Sequence, residues 1–171
     1  MEMIEIRELS AYEVGLAEVL VDCVAGGASV GFMAGFTQVE AVAFFGKVFS
    51  SVERGERVLL AGYFDGRLVG TVQIVLAMMP NQPHRGEIAK LLVLRSARGM
   101  GVAGKLMEEA ERVAAKKEKT LLVLDTANSH AEALYKKLGW VRVGEIPNYA
   151  LLPNANPCAT TVFWKTINSH P

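Results

Sequence analysis

Two glycine-rich stretches hold the residues whose types and spacing suggest chemistry. One is VAGGASVGFMAG at 24–35, which carries no charge; the other is RSARGMGVAGKL at 95–106. A phosphate-binding loop aims several backbone N–H groups at one point and runs on into a helix N-terminus. Residues 98–104, Arg-Gly-Met-Gly-Val-Ala-Gly, meet those conditions, with an apolar strand before, a helix after and a cation at the start. The Walker pattern GxxxxGK[ST] is absent. A dinucleotide fingerprint would need an acidic ribose partner about 20 residues on, at a strand end, and none is evident. A tight strand-to-helix turn without a ligand would use the same glycines, so the loop alone leaves both readings open. Cys23 and Cys158 lie far apart with no CxxC spacing, as expected of idle thiols in a reducing, cytoplasmic setting. His84, His130 and His170 share no ligand-like pattern, and no metal is expected.

The elements that must position these loops follow from periodicity. Residues 3–9 alternate as a strand, and Ser10 is expected to cap a helix carrying Leu16, Val19, Leu20 and Cys23 on one face. Thr37 starts a second helix, striped by Val42, Phe45, Phe49 and Val52 and stopped at Gly55. Asp65-Gly66 joins two strands as a hairpin. GEIAKLLVL at 86–94 reads as a central strand, followed by the second glycine loop and a helix lined by Leu106, Met107, Ala110, Val113 and Ala114. The strand TLLVLDT, a short helix closed by Gly139, and the strands WVRVGEI and ATTVFWKTI complete the chain, the last two separated by a Pro- and Asn-rich loop. The expectation is one α+β domain over residues 1–171. Its strand–loop–helix–strand unit at 86–125 should contain a parallel pair.

Bulk properties exclude several classes. The 171 residues carry 18 basic and 18 acidic side chains, so no global field draws in nucleic acid or an anionic membrane. The basic run at 116–119 reads as cations at the negative end of a helix. The charge-free run Cys23 to Val39 falls short of the roughly 20 apolar residues that span a bilayer. Met1 to Glu5 lack the layout of a signal peptide.

Spacing narrows the choice for the second loop. Arg98-x-x-Gly101-x-Ala103 resembles the [QR]xxGx[GA] pyrophosphate loop of the GNAT superfamily of acyl-CoA-dependent N-acyltransferases. Downstream, Asn128-x-x-Ala131-x-x-Leu134-Tyr135-x-x-x-Gly139-Trp140 is similar to that family's NxxAxxLYxxxG[FW] helix. The order of elements resembles the GNAT fold along the whole chain. That implies a mixed central sheet of about seven strands with a splayed parallel pair and about four flanking helices. GGASVGFM, KLLVLRSARGMG, LLVLDT and RVGEIPNY further resemble the tabtoxin-resistance type of GNAT acetyltransferase, which acetylates a small β-lactam dipeptide-derived toxin.

The resemblance implies acetyl-CoA as co-substrate, no metal, and direct attack by an acceptor amine in a ternary complex. Leu92 and Val93 would pair through their backbone with the pantetheine arm, while Arg98, Gly99, Met100, Gly101, Val102, Ala103 and Gly104 would hold the pyrophosphate. An alkyl ammonium must lose a proton before attack. Glu87 and Asp125 are the candidates for that base, or for holding the substrate ammonium. Tyr135 would protonate the departing thiolate or serve as a core tyrosine. Asn128 would hydrogen-bond the pantetheine or cap its helix. Residues 26–33 would form an apolar lid that places Ser29, Phe32 and Met33 at a small enclosed acceptor, with Tyr149 near it; a plain helix–helix connection is the alternative. Arg95 stands where relatives often have proline, which adds a cation near the phosphates. A protein N-terminus or lysine as acceptor, a non-catalytic acyl-CoA sensor, and homodimerisation are left open by the residues alone.

Overall fold

The computed structural model describes residues 1–168; His170 lies outside them. The elements run β1 (Glu2–Glu5), α1 (Glu13–Ala25), α2 (Gln38–Glu53), β2 (Arg57–Phe64), β3 (Arg67–Val75), β4 (Arg85–Val93), α3 (Val102–Lys116), β5 (Leu121–Thr126), α4 (Ser129–Lys137), β6 (Val141–Leu151) and β7 (Pro157–Thr166). They form one seven-stranded sheet in the order β1-β2-β3-β4-β5-β7-β6. Among the described residues only β4 and β5 run parallel, the pair expected from the βαβ unit; the remaining neighbours are antiparallel.

Local chemistry explains most element boundaries. Thr37 caps α2 in a capping box: its side chain accepts from the Glu40 N–H at 3.3 Å, and the Thr37 N–H donates to Glu40 at 2.8 Å. At the β2–β3 hairpin Asp65 (φ 48°) and Gly66 (φ 74°) both take left-handed backbone, as this tight turn requires.

Four expectations are corrected. Ser10 does not cap α1. The Leu9 carbonyl accepts from the N–H groups of Tyr12 and Glu13, which makes a separate turn and delays the helix to Glu13. Ser10 instead donates to Glu8. The first strand ends at Glu5, short of the expected residue 9: the Ile6 N–H makes a last bond to the Leu59 carbonyl at 2.9 Å before the chain turns toward α1. The expected Pro- and Asn-rich loop is mostly strand: β6 reaches Leu151 through a register shift between Ile146 and Ala150, with Asn148 at φ 52°. Lys119 has left the end of α3 and is buried, its Nζ donating to the carbonyls of Leu76 (3.1 Å) and Pro83 (2.7 Å).

The hydrophobic core lies on both faces of the sheet. Cβ atoms on Gly62 and Gly70 would point at Val102 of α3, so Leu60, Val72 and Ile74, which share that face by register, pack under α3. Ala61, Leu59 and Arg57 on β2, with Thr71 and Gln73 on β3, occupy the opposite face, where α1 and α2 lie. Leu16, Leu20 and Phe45 are completely buried on that side, and Leu106 and Met107 on the other. No helix among the described residues is long and apolar enough to cross a membrane.

Candidate active site

The site begins where the sheet opens. β4 and β5 are hydrogen-bonded only across Arg85–Leu121, Gly86–Leu122 and Glu87–Val123. Beyond that rung the strands part, so the β5-facing backbone groups of β4 from Ile88 to Val93 lack a strand partner. β4 keeps its pairing to β3 on the other edge, with Leu92 opposite Thr71 and Val93 opposite Gly70. Between Ala89 and Leu92 the register slips by one residue, and Lys90 stands in left-handed backbone at φ 51°. This bulge bends the strand away from its neighbour.

The backbone of β4 next turns into the second glycine loop. After a 3₁₀ turn over Arg95–Ala97, Gly99 and Gly101 both sit at φ 80° and Gly101 becomes the N-cap of α3. No side chain caps this helix. Its first internal hydrogen bond joins the Lys105 N–H to the Gly101 carbonyl at 3.2 Å, so the N–H groups of Val102, Ala103 and Gly104 have no helical acceptor. A Cβ on Gly99 or Gly101 would meet nothing within 4 Å, leaving the approach to these amides open. This is the arrangement an anionic diphosphate needs. Met100 is half exposed, and Arg98 is exposed at the entrance.

Arg95 behaves differently from a free cation beside the phosphates. Its backbone N–H donates to Asp22 Oδ2 at 2.8 Å and its Nε to Oδ1 at 2.9 Å, which ties the loop to the end of α1. Partial burial opposes ionisation of Asp22, but the Arg95 N–H and guanidinium, with Arg98 nearby, outweigh it and hold the carboxyl below its ordinary value. Gly26 makes room for this contact, since a Cβ there would lie 2.8 Å from Arg95 Cδ.

At the fork the titratable groups gather. Glu87 occupies the last paired rung, half-buried, on the α1/α2 face. Asp125, two residues beyond Glu87's partner Val123, shares that face but is exposed, and its Oδ2 accepts from Thr160 Oγ1 at 2.6 Å. Tyr135 of α4 is 5% exposed and packs against Trp140 and Phe163, with ring centroids 6.1 and 5.7 Å away. Burial, reinforced by the charge of Asp125, pushes its hydroxyl up to about 12. Asn128 is the N-cap of α4: its Oδ1 accepts from the N–H groups of His130 (2.9 Å) and Ala131 (3.3 Å). Capping thus occupies the oxygen, and any ligand contact falls to the amide nitrogen. Burial raises the Cys23 thiol, which donates to the Val93 carbonyl at 3.5 Å.

The first glycine stretch bridges α1 and α2 over the same face. Phe32 stacks on Phe36 and meets Phe44 edge-on, with centroids 4.1 and 5.2 Å apart, and the Ala34 N–H donates to the Pro153 carbonyl at 2.9 Å. Ser29 accepts from Cys158 Sγ at 3.4 Å. Met33 and Tyr149 are about half exposed. A cavity of about 310 Å³ separates residues 34–36 from the β6–β7 turn at Leu152–Asn154; Glu87, Asp125 and Tyr135 do not line it.

Against this geometry, comparison with known proteins is decisive. Residues 23–140 match the model of the Acetyltransferase (GNAT) family. The chain belongs to that family. A 92-residue stretch is 35% identical to the N-alpha-acetyltransferase MAK3 of Arabidopsis thaliana, covering 52% of this chain and 47% of that protein. The match thus spans about half the length of the curated relative. Among solved structures, the ribosomal-protein-alanine N-acetyltransferase of Brucella melitensis superposes with a TM-score of 0.81 at 17% identity, over 98% of this chain and 100% of that one. The phosphinothricin acetyltransferase of Sinorhizobium meliloti, in complex with acetyl-CoA, gives 0.82 at 14% identity over 98% and 90%. In this GNAT protein the seven-stranded mixed sheet, the single parallel pair and the four helices are the architecture the motifs imply. Lys90, Arg57 and Gln73 also converge on the fork; Lys90 opens the KLLVLRSARGMG stretch but had no role there, and Arg57 and Gln73 lie outside the quoted stretches. The signal for Lys90 was a lone lysine in an otherwise apolar strand end.

Proposed function

We propose that the protein is an acetyl-CoA-dependent N-acetyltransferase that acetylates the amine of a small molecule, in the manner of the tabtoxin-resistance type. One observation carries the reading: a parallel strand pair that opens at Glu87, beside a glycine loop ending in the uncapped N-terminus of α3. Acetyl-CoA would supply the acetyl group as an activated thioester.

The chain's residues divide the remaining tasks. The N–H groups of Val102, Ala103 and Gly104, approached past Gly99 and Gly101, would hold the pyrophosphate, with Arg98 and Met100 at the rim. The Val93 N–H, on the open edge of β4, would donate to a pantetheine arm, while the backbone of Leu92 is turned to Thr71 of β3 and lends the arm only its flank; the Asn128 amide nitrogen stands on the opposite side of the fork. Glu87 would accept the proton of the acceptor ammonium, directly or through water. Asp125, already accepting from Thr160, is better suited to holding the ammonium. Tyr135, protonated far above neutral pH, would give a proton to the departing thiolate. The donor and acceptor meet without a covalent enzyme intermediate, since the buried Cys23 thiol is raised and Cys158 donates to Ser29.

The lid supports a small acceptor. Phe32 is packed into an aromatic cluster and the Ala34 N–H is tied to the β6–β7 turn, so the segment is held in place rather than left as an open connection. A second reading, acetylation of a protein N-terminus, is favoured by the 35% match to the Arabidopsis N-alpha-acetyltransferase.

A thiol-release assay with acetyl-CoA across β-lactam dipeptides, aminoglycosides, amino acids and short peptides tests the proposal. Release that depends on a small amine supports it. Release with N-terminal peptides alone selects the second reading. Tight acetyl-CoA binding with no transfer to any amine rejects both in favour of a sensor.

A further inference from the structure

Two cations stand at the fork beside the two carboxylates, and neither has a task in the transfer. Register places Arg57 opposite Val75, Val75 opposite Glu87 and Glu87 opposite Val123, one row of side chains across four strands on the α1/α2 face. Gln73 is fully buried on that face, and its Oε1 accepts from the Arg57 guanidinium. Its Nε2 and the Arg57 Nε are buried without a partner. Lys90, on the bulge three residues after Glu87, reaches under the lid: its Nζ ends 4.0 Å from where a Cβ on Gly31 would sit. Burial and the nearby Arg57 charge lower its ammonium, against the pull of Asp125 and Glu87. Among the described residues neither cation closes an ion pair with either carboxylate.

Two charges of each sign, adjacent and without an ion pair between them, three of them partly buried and Asp125 exposed, form an incomplete network that a ligand carrying both signs would complete. The anion is not the phosphate of the donor, because that belongs at the N-terminus of α3, on the far face of the sheet. We propose that Lys90, backed by the Gln73-held Arg57, is the anion-binding half of the acceptor site. The acceptor is then a zwitterion: an amino acid or short amino-acid conjugate with a free carboxylate a few bonds from the acetylated amine. Glu87 and Asp125 face its ammonium, and Lys90 its carboxylate beneath Gly31. Polycationic amines such as aminoglycosides would set further positive charge against Lys90 and Arg57, and the site rejects them on that ground. This inference rests on the N-acetyltransferase reading and deepens it.

The test is steady-state thiol release with paired acceptors, amino acids and dipeptides each as free acid and as primary amide, with rates corrected to the unprotonated amine. The wild type should favour the acids by roughly tenfold or more in kcat/KM, mainly through KM, the scale of a hydrogen bond to a charged group. In Lys90→Met the ratio should fall to about one, and in Lys90→Arg it should persist; retained acetyl-CoA binding certifies the fold of each variant. Equal turnover of acid and amide by the wild type would overturn the proposal while leaving the transferase standing. So would an undiminished ratio in Lys90→Met, or a fall in kcat shared by both members of a pair, which would mark Lys90 as a proton carrier. Failure of transfer to every amine, with acetyl-CoA still bound, would remove the underlying reading instead.

Discussion

Glu87 and Tyr135 divide the proton traffic in the proposed reaction, and their environments make the division testable. Glu87 is half-buried at the last rung of the fork and carries no hydrogen-bonding duty like that of Asp125 with Thr160. Glu87→Gln keeps the shape and removes the proposed base, so kcat should fall about 10²–10⁴-fold, the range of positioned general-base catalysis, with KM for acetyl-CoA little changed. Asp125→Asn should act mainly on KM for the acceptor. For Tyr135 the sign of the shift matters. A hydroxyl raised to about 12 is still protonated at pH 10, so it can act as an acid across the whole assay range. The ratio of wild-type to Tyr135→Phe kcat should therefore stay constant from pH 7 to pH 10. A phenol of ordinary acidity would lose half its acid form by pH 10, and the ratio would drop in pH-resolved turnover measurements.

At the scale of elements, α2 and α3 begin in opposite ways, and the proposed function gives the difference a use. α2 is sealed by the Thr37–Glu40 capping box and anchors the far end of the lid. Thr37→Ala should cost about 1 kcal/mol of stability, read from the denaturant midpoint. α3 is left unsealed behind Gly101 at φ 80°, where an alanine would have space for its Cβ but not a relaxed backbone. Gly101→Ala should cost about 1–2 kcal/mol and raise KM for acetyl-CoA several-fold, because the three open amides move with their cap. Both starts were legible in the sequence, since Thr37-x-x-Glu40 and the glycines after an apolar strand are local signals. The β4 bulge was not. A single left-handed lysine among Leu and Val residues leaves the period-2 pattern almost intact, and only the register with β3 exposes the slip. Ser10 misled for a related reason: a good capping residue lost to a turn formed by the backbone of Leu9, which no side-chain pattern reports. The extension of β6 was hidden by Pro147 and Asn148, which read as loop and in the fold are absorbed by a register shift.

Across the whole molecule, the donor loop and the lid are parts of one construction joined through α1. Asp22 lies at the C-terminal end of that helix, where the chain enters the lid through Gly26, and its two oxygens hold the backbone and guanidinium of Arg95, where the chain enters the donor loop. The pairing links segments 73 residues apart in sequence. Neither end was recognisable from sequence alone: Arg95 read as a cation for phosphate, and no local pattern singles out Asp22. Because the Asp22 carboxyl is held below its ordinary 3.8, the stability it contributes is present above that pH and is lost as pH falls through the lowered value. Asp22→Asn should therefore destabilise the protein at pH 7 by about 0.5–1 kcal/mol, a modest figure because the Arg95 side chain is about half exposed and screened by water. The gap between variant and wild type should close in unfolding curves taken below pH 3.8. Function separates this tie from an ordinary surface pair. Releasing Arg95 loosens the start of the proposed donor loop, so KM for acetyl-CoA should rise several-fold while the preference among acceptors, proposed to be set around Lys90 earlier on β4, stays as it was. A change in acceptor preference with an unaltered KM for acetyl-CoA would place Asp22 with the lid instead.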